Sequence, residues 1–507
     1  ENNITGSDEG MQVDPFFDEY PDTQHIADKI WRQVSDFPLY MGSLITEDKK
    51  ATVIVAELND KGLAEITYQQ VLQLVENAPI GQNDTLYIAG EGAISGYLGS
   101  YIDADAQRLN PLAGLIITII VLFAFRRFSP ALLANIIIAA SVLMTLAVMA
   151  LFDVPFFVIT NAMPVILIGI SVADSMHIFS DYFERQANNP EQDKKEIIVE
   201  TLVTMWRPIT LTTLTTIAGF IGLYFSAYMP PFKFFGLFTA IGVAIAWIYS
   251  LIFLPAAMSI IQPNASKRMV KLAQSDELDT FAKIMVFLGN ITMNNARKVI
   301  VFFVLIILSG FYSATHLSVN ENRIETFHPS EPLFKADQAI NQHLNGTNNL
   351  NIIIEANESE ALFTTENLTQ IEALQTYALT LENVKGATSI VDYLKQIHRS
   401  LNGGDKQFYW LPKNKELIAQ YFLIYSASSD PTDFEEEIDY DYRIANIRLS
   451  LNKGSYQDNK DTVEKLNSYI EDNFNSANLT ATLSGRVNVN YHWIEGVGES
   501  HFLGLGI

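Results

Sequence analysis

Cysteine is missing from all 507 residues. No disulfide, thiol nucleophile or Cys-ligated zinc can be built from this chain. Charge is scarce too, at 18% of residues, and basic residues are outnumbered, 33 Lys and Arg against 57 Asp and Glu, for a net charge of −24. That balance excludes nucleic acid as the partner, because a phosphate backbone is held by basic patches. The start, Glu1-Asn2-Asn3, carries no initiator methionine, signal peptide or charged leader. The end, Gly504-Leu505-Gly506-Ile507, reads as the opening of another apolar run. The expectation is an internal piece of a longer membrane protein.

What is present is apolar residue, 49% of the chain, and it is unevenly placed. Residues 109–261 are nearly all apolar, whereas 1–108 and 318–500 are polar and acidic. Six runs qualify as membrane helices: Pro111–Phe125, Ala131–Phe152, Val154–Ser180, Pro208–Tyr228, Phe232–Ile261 and Val299–Leu317. The first run alone covers only about 22 Å, so its helix is expected to extend upstream through Tyr97–Asn110. Basic residues follow alternate runs: Arg126 and Arg127, then Arg185, Lys194, Lys195 and Arg207, then Lys267, Arg268, Lys271, Lys283, Arg297 and Lys298. The intervening turns, around Asp153 and Met229-Pro230, are nearly free of Lys and Arg, Lys233 excepted. The positive-inside rule puts the basic loops in the cytoplasm and both acidic regions outside. A large soluble protein with buried helices would show this alternation only by coincidence.

Asp174 interrupts the third run, within Ile168–Ile178. An ionisable group there costs roughly 2.5–3.5 kcal/mol on insertion scales, and such groups usually face a bundle interior and carry protons or ions. His177 lies three residues on, hence on the same helix face, and Asp181 a further turn along. The bland readings are a static helix–helix hydrogen bond for Asp174, a polar tether near the cytoplasmic edge for His177, and an ordinary helix-end acid for Asp181. Thr210, Thr212, Thr213, Thr215 and Thr216 stud the fourth run. They are packing glue or, more sharply, hydroxyls that support a proton path. Gly219, Gly222, Gly236 and Gly242 read as helix-packing surfaces. Phe232, Phe234, Phe235 and Phe238 read as an interfacial anchor, with a lipid portal as the functional option. Phe434-Glu435-Glu436-Glu437 reads as a solvated acidic face.

The two polar regions end alike. Ala51–Leu58 is a strand-like run, Thr67–Asn77 a helix, and Thr85–Ala89 a short strand ending at Gly90. Arg443–Leu451, Thr462–Asn473 and Ala481–Ser484 repeat that order, ending at Gly485, 395 residues from Gly90. The same offset from Pro111 falls on Gly506, so the chain stops where a repeat would begin another membrane helix. Between the repeats, Leu350–Ile354 reads as a strand, Glu366–Leu381 as a helix, and Val384–Leu401 as a second helix after a turn at Gly386. Asn402-Gly403-Gly404-Asp405 and Ser428–Asp433 read as loops.

Four stretches resemble the RND (resistance–nodulation–division) superfamily in its MMPL/Patched-like exporter branch. They are GISVADSMHIF (Gly169–Phe179), RPITLTTLTTIAGFIGL (Arg207–Leu223), FGLFTAIGVAIAWIYSLIFLPA (Phe235–Ala256) and ENRIETFHPSEPLFKADQAI (Glu321–Ile340). The resemblance implies a polytopic α-helical membrane protein with α+β extracytoplasmic domains of βαβ, porter-like kind, internally duplicated. On that template residues 1–108 are the C-terminal part of the first porter-like domain and 109–261 are transmembrane helices 2–6, a sterol-sensing-domain-like bundle. Residues 262–298 are a cytoplasmic connector, 299–317 are helix 7, and 318–507 are the second porter-like domain ending at the start of helix 8.

The implied function is proton-driven export of hydrophobic or amphiphilic, lipid-like molecules from the inner membrane, with large periplasmic domains. It is a secondary active transporter rather than an enzyme, with no cofactor and no metal. Asp174 and His177 form the proton relay, supported by Ser171, Thr212, Thr213 and Thr216, and the relay partner lies on helix 10, outside these residues. Family members often carry Gly and a second acid ahead of the Asp, where this chain has Ser171 and Ala173. The expected partners are membrane lipids or another amphiphile and protons, with a homo-oligomer or periplasmic accessory protein left open. A sterol-sensing-type lipid receptor without pumping is the alternative, and the intact Asp174 weighs against it. An intramembrane aspartyl protease would need a second aspartate at depth, and 109–261 offers none.

Overall fold

The computed structural model describes residues 2–506, apart from 8–9, 18–20, 82, 274–279, 318 and 429–435. It forms two compact units: Glu1–Tyr97 with Val319–Glu495, and Leu98–Ser318 with Gly496–Ile507.

The second unit is helical. Among the described residues, six helices are long and apolar enough to cross a membrane: Glu91–Phe125, Phe128–Leu151, Val158–Asn188, Lys194–Ser226, Pro230–Ile261 and Ala296–Ala314. They are the first to sixth spans below, and each lies over a run read from the sequence. The first does extend upstream, as one 35-residue helix that keeps Pro111 inside it. The fourth begins well before Pro208, because Asp193 accepts from the Lys195 amide at 3.4 Å and starts the helix there. Its added turns bury Ile197, Ile198 and Thr201. The third becomes α-helical at Ala162 rather than Val154, after a 3₁₀ turn whose Thr160 hydroxyl accepts from the Phe157 amide at 3.2 Å.

The fifth span holds a π turn, Tyr249–Phe253, ahead of Pro255. Proline has no N–H to give to the preceding turn, and a wide turn accommodates that gap. The first and fifth spans end on left-handed non-glycine residues, Arg126 (φ 53°) and Gln262 (φ 47°). The second is followed by Asp153, also left-handed at φ 49°.

Two clusters fill this unit. One joins Phe125, Phe179, Tyr182 and Phe183 to Leu133, Ile137 and Met258. The other joins Met149, Met163 and Leu167 to Phe235, Phe238 and Val243. Phe235 and Phe238 are therefore core residues, which corrects the reading of all four phenylalanines as an interfacial anchor. The reason is periodicity: positions three and four apart on the helix face inward together. The segment after the fifth span is tied down by side chains. Tyr182 donates to the Pro263 carbonyl at 2.9 Å, the Ala265 amide donates to Gln186 at 2.5 Å, and Arg127 donates to the Ala265 carbonyl at 3.0 Å. Among the described residues, the sixth span buries no side chain.

The first unit is α+β. Strands β1 (Asn2–Ser7) and β2 (Gly10–Pro15) form an antiparallel hairpin, with Ile4 opposite Val13. Strands β3 (Asn348–Ala356), β4 (Val384–Thr388), β5 (Ile444–Leu451) and β6 (Leu479–Ser484) form a sheet of order β4-β5-β3-β6, antiparallel throughout. That order is the split-βαβ arrangement, in which β3 lies between the two strands joined by the Tyr456–Tyr469 helix. Alternation sets the faces. Leu350, Ile352, Ile354 and Ala356 point into the core with Ala445, Ile447, Leu449 and Leu451. Helices Thr365–Leu379 and Ile390–Leu401 supply Leu368, Ile371, Leu374, Leu394 and Ile397 to the same core.

Several expectations are corrected here. Val384–Thr388 is a strand, and helix begins only at Ile390, where Ser389 caps it and Asp392 closes a capping box. Ala51–Leu58 and Thr85–Ala89 are not strands in this chain; Ile54 is 91% exposed and Val55 71% exposed. Strand-like alternation produces no ladder without a neighbouring strand to bond. Of the acidic run, Phe434 and Glu435 lie outside the described residues, as does most of the Ser428–Asp433 loop. Glu437 is buried rather than solvated, at 1% exposure, with Oε1 2.5 Å from Arg448 Nη2. Its main chain is held to β5, since the Asn446 amide donates to the Glu437 carbonyl at 2.9 Å. Burial pushes its carboxyl up to about 7, against the pull of Arg448.

Candidate functional site

The third span sets the site. Asp174 lies about 18 Å along a helix of about 40 Å counted from Ala162, and it is 8% exposed. Helical spacing places Met163, Leu167, Ser171, Asp174, Ser175 and Ile178 on the buried face. Apolar neighbours supply no compensation for a carboxyl group, so whatever polar groups touch it matter.

One does. The Thr213 hydroxyl, on the fourth span, stands 3.2 Å from Asp174 Oδ2 and 2.8 Å from the Ile209 carbonyl of its own helix. Among the described residues it is the carboxyl's hydrogen-bond partner. The other expected threonines bond to their own helix: Thr212 to the carbonyls of Pro208 and Ile209 at 3.0 and 2.9 Å, Thr216 to that of Thr212 at 2.9 Å. Thr215 also bonds back, at 2.8 Å, and Thr210 accepts from Trp247 of the fifth span at 3.1 Å. Burial separates them, since Thr213 is 4% exposed whereas Thr212 and Thr215 lie on the outer face.

Ser171, one turn before Asp174, is fully buried, and its hydroxyl has no hydrogen-bond partner among the described residues. Ser175, which the sequence reading passed over, is fully buried and bonds to the Val172 carbonyl at 2.8 Å. Its signal was the polar residue directly after the acid. His177 makes no hydrogen bond with Asp174, although it lies within electrostatic reach of it; like Gly169 and Ala173 it is exposed. A face-sharing spacing of three residues leaves about 60° between the two directions, enough to put one side chain in the core and the other outside. Asp181 is engaged elsewhere, 2.6 Å from Arg185, which also reaches Glu200 at 3.3 Å and Thr204 at 2.8 Å.

Glycines set how closely the helices approach. A Cβ on Gly236 would stand 2.6 Å from the Phe220 carbonyl oxygen, and one on Gly242 would stand 2.6 Å from Leu167 and 2.7 Å from the Thr145 hydroxyl. At Gly219 an added Cβ would meet nothing within 4 Å. Ser141 of the second span donates to the Gly242 carbonyl at 2.8 Å, a bond that a bulkier residue would spread. Among the described residues no cluster of three or more His, Asp or Glu is placed to hold a metal ion.

Comparison with known proteins adds to this geometry. The MMPL family model matches residues 8–283. A protein of Methanocaldococcus jannaschii described as a membrane protein is 25% identical over 173 residues, which are 34% of this chain and 44% of the relative. The hedgehog release protein Disp from the water bear Hypsibius dujardini has a similar fold, with a TM-score of 0.50 and 12% identity over 87% of this chain and 56% of that one. A heavy metal efflux pump is matched at a TM-score of 0.37 and 12% identity, over 89% of this chain and 37% of the pump. The chain thus spans about half the length of the relatives it matches. With more than half of its residues covered by the family model, and with a bundle of apolar helices around a buried acid, the chain belongs to the MMPL family.

Proposed function

We propose that this chain is part of a proton-driven exporter of hydrophobic or amphiphilic, lipid-like molecules, set in the cytoplasmic membrane with its sheet unit on the outer side. The observation that carries the reading is the Asp174–Thr213 contact in the middle of the bundle. A hydroxyl has one proton to give. When Asp174 is ionised, Thr213 turns that proton to the carboxylate. When Asp174 is neutral, its own O–H donates to Thr213, which then donates to the Ile209 carbonyl 2.8 Å away. Each protonation state therefore selects its own bonding between the third and fourth spans.

A carboxylate accepts about four hydrogen bonds, and one hydroxyl leaves most of that capacity unused. The ion is costly in an apolar bundle unless other polar groups approach it. Gaining a proton removes that demand and lets the helices repack; losing it toward the cytoplasm restores the demand. Each proton crossing supplies roughly 2.3 kcal/mol per 100 mV, and a bias of a few kcal/mol moves a two-state bundle substantially. His177, Ser171, Thr212 and Thr216 are the further members of the proposed path. His177 serves it from the exposed face of the third span, where a helix outside these residues would meet it. Gly236 and Gly242 support the reading by packing the fifth span closely enough to transmit small shifts. Gly222 belongs to the same packing proposal, whereas Gly219, expected to pack as well, faces open space where an added Cβ would meet nothing within 4 Å.

The test is transport by the full-length protein in proteoliposomes, with Asp174→Asn against wild type. Loss of proton-coupled flux with the bundle still folded is the expected result. Unchanged flux removes the relay, and lipid binding without any flux in the wild type favours a sterol-sensing-type receptor instead.

A further inference from the structure

A hydroxyl buried in a helix usually bonds back to a carbonyl about one turn earlier. Thr145, Ser175 and Thr239 do so here, at 2.6, 2.8 and 2.6 Å. Three buried hydroxyls of the bundle bond to nothing among the described residues: Ser171, Ser250 and Thr201. Each is no more than 1% exposed, and a polar group so placed calls for a partner. Ser171 belongs to the proposed path, one turn to the outer side of Asp174. Ser250 and Thr201 have no part in it.

Ser250 differs from the others in its backbone. It lies in the π turn Tyr249–Phe253, where Leu254 gives its N–H to the Tyr249 carbonyl. The next N–H along would come from position 255, which is proline and has none. The Ser250 carbonyl is therefore without a helical donor, beside a hydroxyl without a partner. Wide turns of this kind are frequent at functional sites.

Register gives its depth. A Cβ on Gly242 would stand 2.6 Å from Leu167, and the third and fifth spans cross in the same direction. Seven residues further along each, about 10 Å, come Asp174 and Tyr249. Ser250 is thus at the depth of the carboxyl or just beyond it, toward the side that the basic loops mark as cytoplasmic. Helical spacing gives its direction. Gly242 faces the third span, and Trp247 donates to Thr210 of the fourth at 3.1 Å. Ser250 falls between these two directions, about 80° from one and about 60° from the other. It therefore faces the seam in which Asp174 meets Thr213. Thr201 lies on the fourth span twelve residues before Thr213, about 18 Å nearer the cytoplasm. It is buried with Ile197 and Ile198, which pack in one cluster with Leu254 and Met258 of the fifth span.

We propose that Ser250 holds a buried water against the cytoplasmic side of Asp174, and that this water and Thr201 are the route by which Asp174 loses its proton. A buried water makes about three hydrogen bonds to groups otherwise unsatisfied. The Ser250 hydroxyl, the Ser250 carbonyl and the Asp174 carboxyl are three such groups. Asp174 gives its proton to the water as the water gives one of its own onward. The Thr201 hydroxyl takes one and passes one in the same way, so every O–H is re-formed and one proton crosses. The route rests on the proton-driven reading of Asp174; the water site does not.

Structures of the full-length protein that resolve ordered water test the site. Water is expected within hydrogen-bond distance of Ser250 Oγ in wild type and absent from Ser250→Ala. No water there, or water unmoved by the substitution, overturns the site. An idle buried hydroxyl costs stability, so a thermal midpoint for Ser250→Ala above that of wild type overturns it too. Transport in proteoliposomes tests the route. Ser250→Ala and Thr201→Val should each lower proton-coupled flux about tenfold, the worth of one hydrogen bond to a charged group. Ser250→Thr and Thr201→Ser keep a hydroxyl and should restore it, which a defect of packing alone would not. Full flux in both Ser250→Ala and Thr201→Val overturns the route. Full flux in Asp174→Asn removes the relay and the route with it, while the water at Ser250 is decided by the structures alone.

Discussion

Thr213 stands 3.2 Å from the Asp174 carboxyl across two membrane helices, and closer still, 2.8 Å, to a carbonyl of its own helix. A shared hydroxyl of this kind makes the substitution Thr213→Val informative, because valine keeps the shape and removes the proton. Interhelical hydrogen bonds in membranes average about 0.6 kcal/mol, so the folded bundle should persist. Proton-coupled flux should fall about tenfold or more, and Thr213→Ser should restore it. Normal flux in the valine variant would show that the hydroxyl takes no part.

Gly236 and Gly219 should respond oppositely to alanine. At Gly236 the new methyl meets a backbone oxygen at 2.6 Å, which cannot swing away. Overpacking of that kind costs about 1–3 kcal/mol. At Gly219 nothing lies within 4 Å, and alanine is the better helix former. Thermal midpoints in detergent should drop for Gly236→Ala and hold or rise for Gly219→Ala. The reverse order would disprove the packing described above.

Glu437 predicts a pH dependence for the sheet unit. Burial raises its carboxyl to about 7 from an ordinary value of 4.5. Between those limits the folded state keeps a proton that the unfolded state has lost, so stability falls as pH rises through the window. Below it both states are protonated and the contribution is level. Denaturation measured from pH 4 to pH 8 should show this decline in wild type, and Glu437→Gln should flatten it. A wild-type curve rising through the same window by way of Glu437 would contradict its burial.

Arg399 ties the N-terminal segment to the sheet unit. Its side chain is 5% exposed, donates to the Asp36 carbonyl at 2.6 Å and the Gly404 carbonyl at 2.9 Å, and pairs with the Asp36 carboxylate. Arg399→Ala leaves both carbonyls without this donor, while the Asp36 carboxylate keeps Lys406 at 3.1 Å, and should cost about 2 kcal/mol. The effect should be read as faster proteolysis within residues 2–40. Unchanged protection would mean that the segment is held by its other contacts, among them the Ser400 hydroxyl, which donates to the Ile4 carbonyl at 2.7 Å.

The spans were legible because a bilayer demands long apolar helices, whatever they pack against, and Val299–Leu317 was found although it packs on little. Their ends were less so: the fourth span gained turns from the Asp193 cap, and the third lost turns to Thr160. Short strands were the weak point. Val384–Thr388 read as helix because only its pairing with β5 makes it a strand, and Ala51–Leu58 read as strand although one isolated bridge, Thr52 to Ile45, is its only pairing among the described residues. Within the site, Asp174 announced itself by its cost, whereas five threonines looked alike until burial singled out Thr213.

By itself the sequence determined that this is a membrane protein with an acid at depth, because apolar length and the expense of an intramembrane charge are properties of the residues alone. Which hydroxyl meets that acid and which face His177 takes were decided by tertiary structure. Each depends on how helices or strands distant in sequence are rotated against one another, and no local periodicity encodes that angle.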